Sequence, residues 1–254
     1  MIRKVFSVGL LLLLCVLPLF SEDIYTDFLR FKCGLYNAGT DQERQTLLAE
    51  YKDRLDNSAL SEQDALALNT LFVLEQAVFE KDASGIQNKK ELYLRYTRQN
   101  EQCTAFMEKN GKASVSPFLL SGWADIKSRL TAFLSGQDMY TEANAARKLY
   151  LEALKKDKKF SQGYVSYGLW LFFAPPIAGG GAEAALKEFS KAVSYANTPE
   201  EKYLALIYRS QIYVALEDEK KAAADLHTAA ALIPNERFTQ IIMEYNKHGK
   251  IFFE

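Results

Sequence analysis

Apolar residues recur along this chain every three or four positions, the period of a helix buried on one face. Ile24, Phe28, Phe31 and Leu35 form one stripe, closed by Asn37-Ala38-Gly39, and Leu47, Leu48, Tyr51 and Leu55 form a second that ends at Asp56-Asn57. Ser61 opens Ser-Glu-Gln-Asp, a capping-box-like start in which Asp64 replaces the usual Glu. Behind it Leu66, Thr70, Val73, Leu74, Ala77 and Val78 form a third stripe, and a fourth runs over 86–110 until Gly111 stops it. Pro117 opens a fifth helix through 134, followed by Gly136. Further helices are predicted over 139–156, 162–173, 182–195, 199–216 and 219–232, with a last one after Pro234. No segment alternates as a strand does. The pattern predicts an all-α chain of about eleven helices with short connections.

The N-terminus breaks this pattern. Arg3 and Lys4 precede an apolar run from Val5 to Phe20, interrupted only by Ser7, Gly9 and Pro18, and polar Ser21-Glu22-Asp23 follows. That is the layout of a secretory signal, and the run is short for a membrane span. Cleavage after Ser21 leaves residues 22–254 as a periplasmic or otherwise exported chain with no membrane span. Cys15 offers lipid attachment instead, but Leu14 stands where a small residue is wanted. Cys33 and Cys103 then remain as a candidate disulfide in an oxidising compartment. Cys103 also shares a stripe with Leu92, Tyr96, Phe106 and Met107, so a buried thiol accounts for it equally.

Composition narrows the function classes. The chain has 254 residues, 48% of them hydrophobic and 25% charged, a proportion that suits a folded core. With a formal net charge of −1, it carries no basic footprint for nucleic acid. The run Lys155-Lys156-Asp157-Lys158-Lys159 falls at a helix end, where cations complement the helix dipole. The two histidines, His227 and His248, are neither spaced as a metal-binding pair nor near a cysteine, and no metal or other cofactor is expected. No zinc-protease motif, nucleophile elbow or Cys-His arrangement stands out. The reading is a protein that binds and does not catalyse.

The helices repeat. In residues 204–236, Ser210 is a small residue at a close helix crossing, Tyr213 an aromatic one turn later, and Ala222, Leu226 and Ala229 alternate small, large and small, with Pro234 at the end. This resembles the tetratricopeptide repeat (TPR), a 34-residue helix–turn–helix, with Glu217 standing where the turn glycine is expected. Gly168 with Ala185, Phe189 and Ala192 gives a second copy, and Ala146, Tyr150 and Ala153 repeat the second-helix pattern once more. The resemblance covers 140–236 and implies a right-handed α-solenoid of antiparallel hairpins. Without a Pro/Gly/Ser-rich linker, residues 22–254 read as one domain.

Five residues are inserted between the helices of the second copy, within Trp-Leu-Phe-Phe-Ala-Pro-Pro-Ile-Ala-Gly-Gly-Gly. Gly179-x-Gly181-x-x-Ala184 has the form of a dinucleotide fingerprint, but that motif needs a preceding strand in a β-α-β unit, and a helix precedes it here. Pro175 and Pro176 end a helix, and Gly179, Gly180 and Gly181 relax the backbone into the next one. Pro-Pro-Ile-Ala-Gly-Gly-Gly followed by Ala-Glu-Ala-Ala-Leu-Lys-Glu-Phe-Ser-Lys-Ala also resembles the periplasmic T component of TRAP-type transporters. That likeness implies association with a solute-binding protein and delivery of an apolar or organic-anion solute.

In TPR proteins the first helix of each repeat lines the concave face. The resemblance therefore places Gln162, Val165, Leu169, Phe172 and Phe173, and then Leu204, Ile207, Gln211, Val214 and Ala215, on the binding face. The face lacks the Lys, Asn and Arg of repeats that grip a peptide carboxylate. It suits a protein partner or a small apolar ligand. Alternatively, the N-terminal helices or residues 241–253 fold over and cover it.

Overall fold

The computed structural model describes residues 24–79, 88–233 and 237–253. These residues form eleven α-helices: α1 (Ile24–Asn37), α2 (Asp41–Asp56), α3 (Glu62–Phe79), α4 (Lys89–Asn110), α5 (Pro117–Leu130), α6 (Gly136–Lys156), α7 (Ser161–Phe173), α8 (Ala182–Tyr195), α9 (Pro199–Ala215), α10 (Glu219–Ala230) and α11 (Arg237–Lys247). No strand occurs among the described residues. The chain is an all-α solenoid, as the periodicity predicts. The expected signal segment 1–21 with Cys15, and also Ile86 and Pro234, lie outside the described residues.

Side chains fix the helix starts by accepting otherwise unpaired amides. Thr40 accepts from the Glu43 N–H at 3.1 Å while the Glu43 carboxylate accepts from the Thr40 N–H at 3.2 Å, a full capping box. Asn88, Ser116, Thr198 and Asp218 cap α4, α5, α9 and α10 through their side chains alone, each accepting one amide N–H. Ser61 accepts from the Asp64 N–H at 3.1 Å, as its Ser-Glu-Gln-Asp start predicts. One boundary differs from expectation. α5 stops at Leu130, where Thr131–Phe133 tightens into a 3-10 turn, and Gly136 opens α6 with φ +56° instead of closing α5.

Small residues set the helix spacing within the hairpins. A Cβ at Gly168 in α7 would lie 3.0 Å from the Phe189 ring of α8, so glycine is what admits that ring. Phe189 is flanked by Ala185 and Ala192, and all three are fully buried. Ser210, Ala222, Leu226 and Ala229 repeat this packing between α9 and α10. Between those two helices Glu217 adopts φ +59°, the left-handed conformation for which the repeat ordinarily supplies glycine.

The two ends of the array meet. Phe28, Leu29, Phe31 and Leu35 of α1 share a core with Tyr203, Leu204, Leu206 and Ile207 of α9 and with Phe238 and Ile242 of α11. Hydrogen bonds register this contact: Asn37 Nδ2 donates to the Tyr203 hydroxyl at 3.4 Å, and the Phe238 N–H donates to Asn37 Oδ1 at 2.9 Å. Arg30 reaches Glu200 at 3.3 Å. The candidate disulfide is not formed. Cys33 is a free buried thiol in this closing core, whereas Cys103 is a free buried thiol on α4, 3.6 Å from Thr70 Oγ1 in the neighbouring core. Each packs as a small apolar residue on its own helix, so nothing draws the two together.

Candidate functional site

The first helices of the two clear repeats, α7 and α9, carry the residues expected on the binding face, and the structure divides them into three groups. Leu204 and Ile207 are fully buried beneath α1. Val165 is buried in the core shared by α3 to α9, with Leu169 packed against it and Gln162 half-buried. Phe172, Phe173 and Gln211 come together around the C-terminal segment. The chain's own α1 and tail therefore cover most of these residues, with Phe173 left 58% exposed.

The tail is held specifically. Gln211, with 0% exposure, accepts a hydrogen bond from the Phe252 N–H at 2.6 Å through Oε1, while its Nε2 donates to Asn246 Oδ1. The Phe253 ring meets Phe172, Phe173 and Tyr208 with centroids 5.4, 6.1 and 5.7 Å away. Phe252 turns to the other side, against Tyr36, Phe238 and Tyr245. One backbone hydrogen bond to an amide side chain and two aromatic rings in separate aromatic nests hold this turn of the tail in place.

Charged groups that the sequence reading did not single out face the interior. Lys32 of α1 and Glu75 of α3 form an ion pair at 2.6 Å with side chains 9% and 8% exposed. Burial works against the Lys32 charge, but the Glu75 carboxylate outweighs it and raises the lysine's pKa. On α5, Asp125 accepts from the Tyr150 hydroxyl at 2.6 Å and from Ser166 Oγ at 2.8 Å, and burial raises its pKa despite those bonds. Arg129 follows one turn later. Its side chain is exposed; desolvation by its surroundings opposes its charge, but Tyr96, Asp125, Tyr36 and Tyr208 raise its pKa. The signal for Lys32 was present in the sequence: it continues the Phe28–Leu35 stripe at helical spacing, on the face that α1 buries.

The glycine insertion offers no anion cradle. The Gly179 N–H donates to Pro176 O at 2.9 Å, Gly180 to Pro175 O at 3.2 Å and Gly181 to Leu171 O at 2.8 Å, so all three amides are bonded to carbonyls. Gly179 and Gly181 take φ of +81° and +117°. A Cβ on Gly180 would lie 2.0 Å from the Ala174 carbonyl oxygen, which makes that position steric in origin. The loop leaves Ile177 97% exposed beside Phe173 at 58%. His227 is exposed on α10, and among the described residues no group of three metal-ligating side chains assembles.

No family model matches the chain, and no curated protein matches it. Among solved structures it is similar to a thermophilic TPR protein of Thermus thermophilus, with a TM-score of 0.54 and 12% identity over 88% of this chain and 97% of that one. The fold is TPR-like. At that identity the likeness is one of architecture, and it agrees with the helix-crossing residues found at Gly168, Phe189, Ser210 and Leu226. No described helix is long and apolar enough to cross a membrane.

Proposed function

We propose that this chain is an exported helical-repeat binding protein that engages a protein partner through the inner face of α7 and α9, at the place its own C-terminal segment fills. The partner segment is a peptide turn carrying two adjacent aromatic residues. The observation behind this reading is the seating of Phe252 and Phe253: Gln211 holds the backbone amide, and Phe172, Phe173 and Tyr208 receive a ring. A segment in trans with the same spacing competes for the same groups. Removal of residues 250–254 is expected to let a fluorescent peptide Lys-Ile-Phe-Phe-Glu bind, with affinity at least about tenfold above that of the full chain, since the intramolecular tail is present at high effective concentration. Equal binding to both forms, or to neither, overturns the reading. N-terminal sequencing of the secreted protein tests export, with Glu22 the expected first residue.

A second reading, a transport accessory that encloses a small ligand, draws support from the interior itself. Lys32 of α1 pairs with Glu75 of α3, and Asp125 of α5 is held by Tyr150 and Ser166, where plain structural packing favours apolar side chains. Native mass spectrometry of protein isolated from its source separates the two. A co-purifying small molecule supports the enclosed ligand, and a clean apo mass counts against it.

A further inference from the structure

A cleft of about 750 Å³ lies between α2, α3 and α4, away from the seat of the tail on α7 and α9. Glu62 pairs with Lys109 and Thr70 with Gln99, so α3 and α4 run antiparallel along it. Leu66, Asn69 and Val73 of α3 and Gln99, Gln102 and Phe106 of α4 line it at helical spacing. From Ala65 to Gln76 the cleft is roughly 16 Å long, about three helical turns.

The other side of this helix pair is already filled by a helix. There α5 packs so closely that a Cβ at Gly122 would lie 3.3 Å from Thr70 and Leu71, and Trp123 Nε1 donates to Asn100 Oδ1 at 2.7 Å. On the cleft side α2 meets α3 through Tyr51 and Phe72, with ring centroids 6.1 Å apart, and it contributes Lys52 to the lining. Leu66 and Val73 stay half-buried along the floor, and Ala105 is exposed. A pair of antiparallel helices with one groove filled and the other open accepts a third helix lengthwise, ridges into grooves.

The rim is cationic. Lys52, Arg95, Arg98 and Lys109 line the cleft with Glu62 as the one carboxylate among its lining residues, in a chain whose formal net charge is −1. Lys52 pairs with Asp56, Arg95 with Glu91 at 3.2 Å and Lys109 with Glu62 at 2.8 Å. The side chains of Lys109 and Glu62 are 64% and 62% exposed, and a pair so well solvated exchanges for a new carboxylate at little cost. Arg98 is exposed and makes neither a hydrogen bond nor an ion pair among the described residues.

We propose that this cleft docks an acidic amphipathic helix of a partner protein. The apolar stripe of the incoming helix lies on Leu66, Val73 and Phe106, while carboxylates on its flanks meet Arg98 of α4 and Lys52 of α2. The apolar floor distinguishes such a helix from a bare polyanion, which would use the rim alone. Because the cleft shares no residue with the seat of Phe252 and Phe253, it is a second surface, independent of the peptide reading above.

Fluorescence anisotropy with the whole chain and the labelled peptide Glu-Leu-Glu-Ala-Leu-Leu-Glu-Glu-Leu-Ala-Glu-Leu-Leu-Glu tests this. The peptide is expected to bind at least about tenfold more tightly than its counterpart with Lys in place of every Glu, since like charges then face the rim. Arg98→Glu is expected to weaken binding about fivefold or more by reversing one contact. Ala105→Phe fills the cleft without changing its charge and is expected to weaken binding by a similar factor. Both substitutions sit at exposed helix positions, and circular dichroism checks that helicity is kept. Removal of residues 250–254 is expected to leave the affinity unchanged, which separates this surface from the tail's seat. No binding of the acidic peptide, equal binding of its lysine counterpart, or parental affinity in either variant overturns the proposal. Displacement by heparin with Ala105→Phe without effect would put a polyanion on the rim in place of the helix. Loss of binding on removal of 250–254 would move the peptide to the tail's seat, and either result also overturns it.

Discussion

Glu75→Gln isolates the most exposed assumption about the interior, that the Lys32–Glu75 pair is buried and self-compensating. At 2.6 Å, with both side chains below one-tenth exposed, the pair has little solvent to replace a lost partner. Removing one member of such a pair costs about 3–5 kcal/mol, since the remaining charge is stranded in protein. For a domain of this size each kcal/mol moves the melting temperature by roughly 2–4 °C, so the variant is expected to melt about 6–20 °C below the parent. Replacing both partners, Lys32→Met with Glu75→Leu, removes the stranded charge, and stability is expected to return to within about 1–2 kcal/mol of the parent. The pH dependence has a definite sign. Because the folded lysine pKa is raised, its contribution is fully present below the unfolded lysine value of about 10.4 and is lost only as pH rises through the folded value. Thermal melts read by circular dichroism between neutral and mildly alkaline pH should therefore show a constant gap between parent and variant. A Glu75→Gln melt within about 2 °C of the parent, less than 1 kcal/mol by the same conversion, refutes the reasoning, as does a double variant no better than the single.

Three further outcomes follow from local geometry. Burial pushes the Cys33 thiol up to about 12 and Cys103 up to about 11, so neither reacts with Ellman's reagent in the folded protein at about pH 8, and both react in denaturing urea. Gly180→Ala places a methyl group 2.0 Å from the Ala174 carbonyl and is expected to lower stability by about 1–3 kcal/mol in urea unfolding, whereas Gly34→Ala, with open space inside helix α1, is expected to raise it by about 0.5–1 kcal/mol. Glu217→Gly removes a left-handed strain of about 1–2 kcal/mol at the cost of about 0.5–1 kcal/mol of chain entropy, so a small rise in urea midpoint is expected.

The helical layout was legible because it is local. A 3.6-residue period, a capping serine or threonine and a stop glycine all act within a few residues of one another, and they placed nearly every helix. The repeat logic was legible for the same reason: Gly168, Phe189, Ser210 and Leu226 meet across a single turn of chain. What the sequence concealed is the closure. Arg30 and Glu200 are 170 residues apart, and Asn37 meets Phe238 across 201 residues. No periodicity carries that information. Gln211 consequently read as a groove residue, when it is the buried anchor of the tail. Phe172 read as part of an aromatic inner surface, and the ring packed against it, Phe253, belongs to the same chain. The charges were hidden for another reason. Lys32 and Glu75 look like solvated positions until α1 folds back and their faces meet.

The docking of α1 on α9 and α11 also changes how the array should fold. In an open solenoid each repeat touches only its neighbours, so stability adds repeat by repeat and the ends can fray or unravel independently. Here the first helix completes the core of the last ones, so the terminal units stabilise each other and neither serves as an independent cap. Unfolding is then expected to be cooperative across the whole ring, and refolding slow for an all-helical chain, because the closing contacts span most of its length. The same arrangement fixes the number of repeats. An inserted or deleted hairpin changes the angle through which the array turns, and the first helix no longer meets its seat, so this architecture is held at one size in a way that open repeat proteins are not.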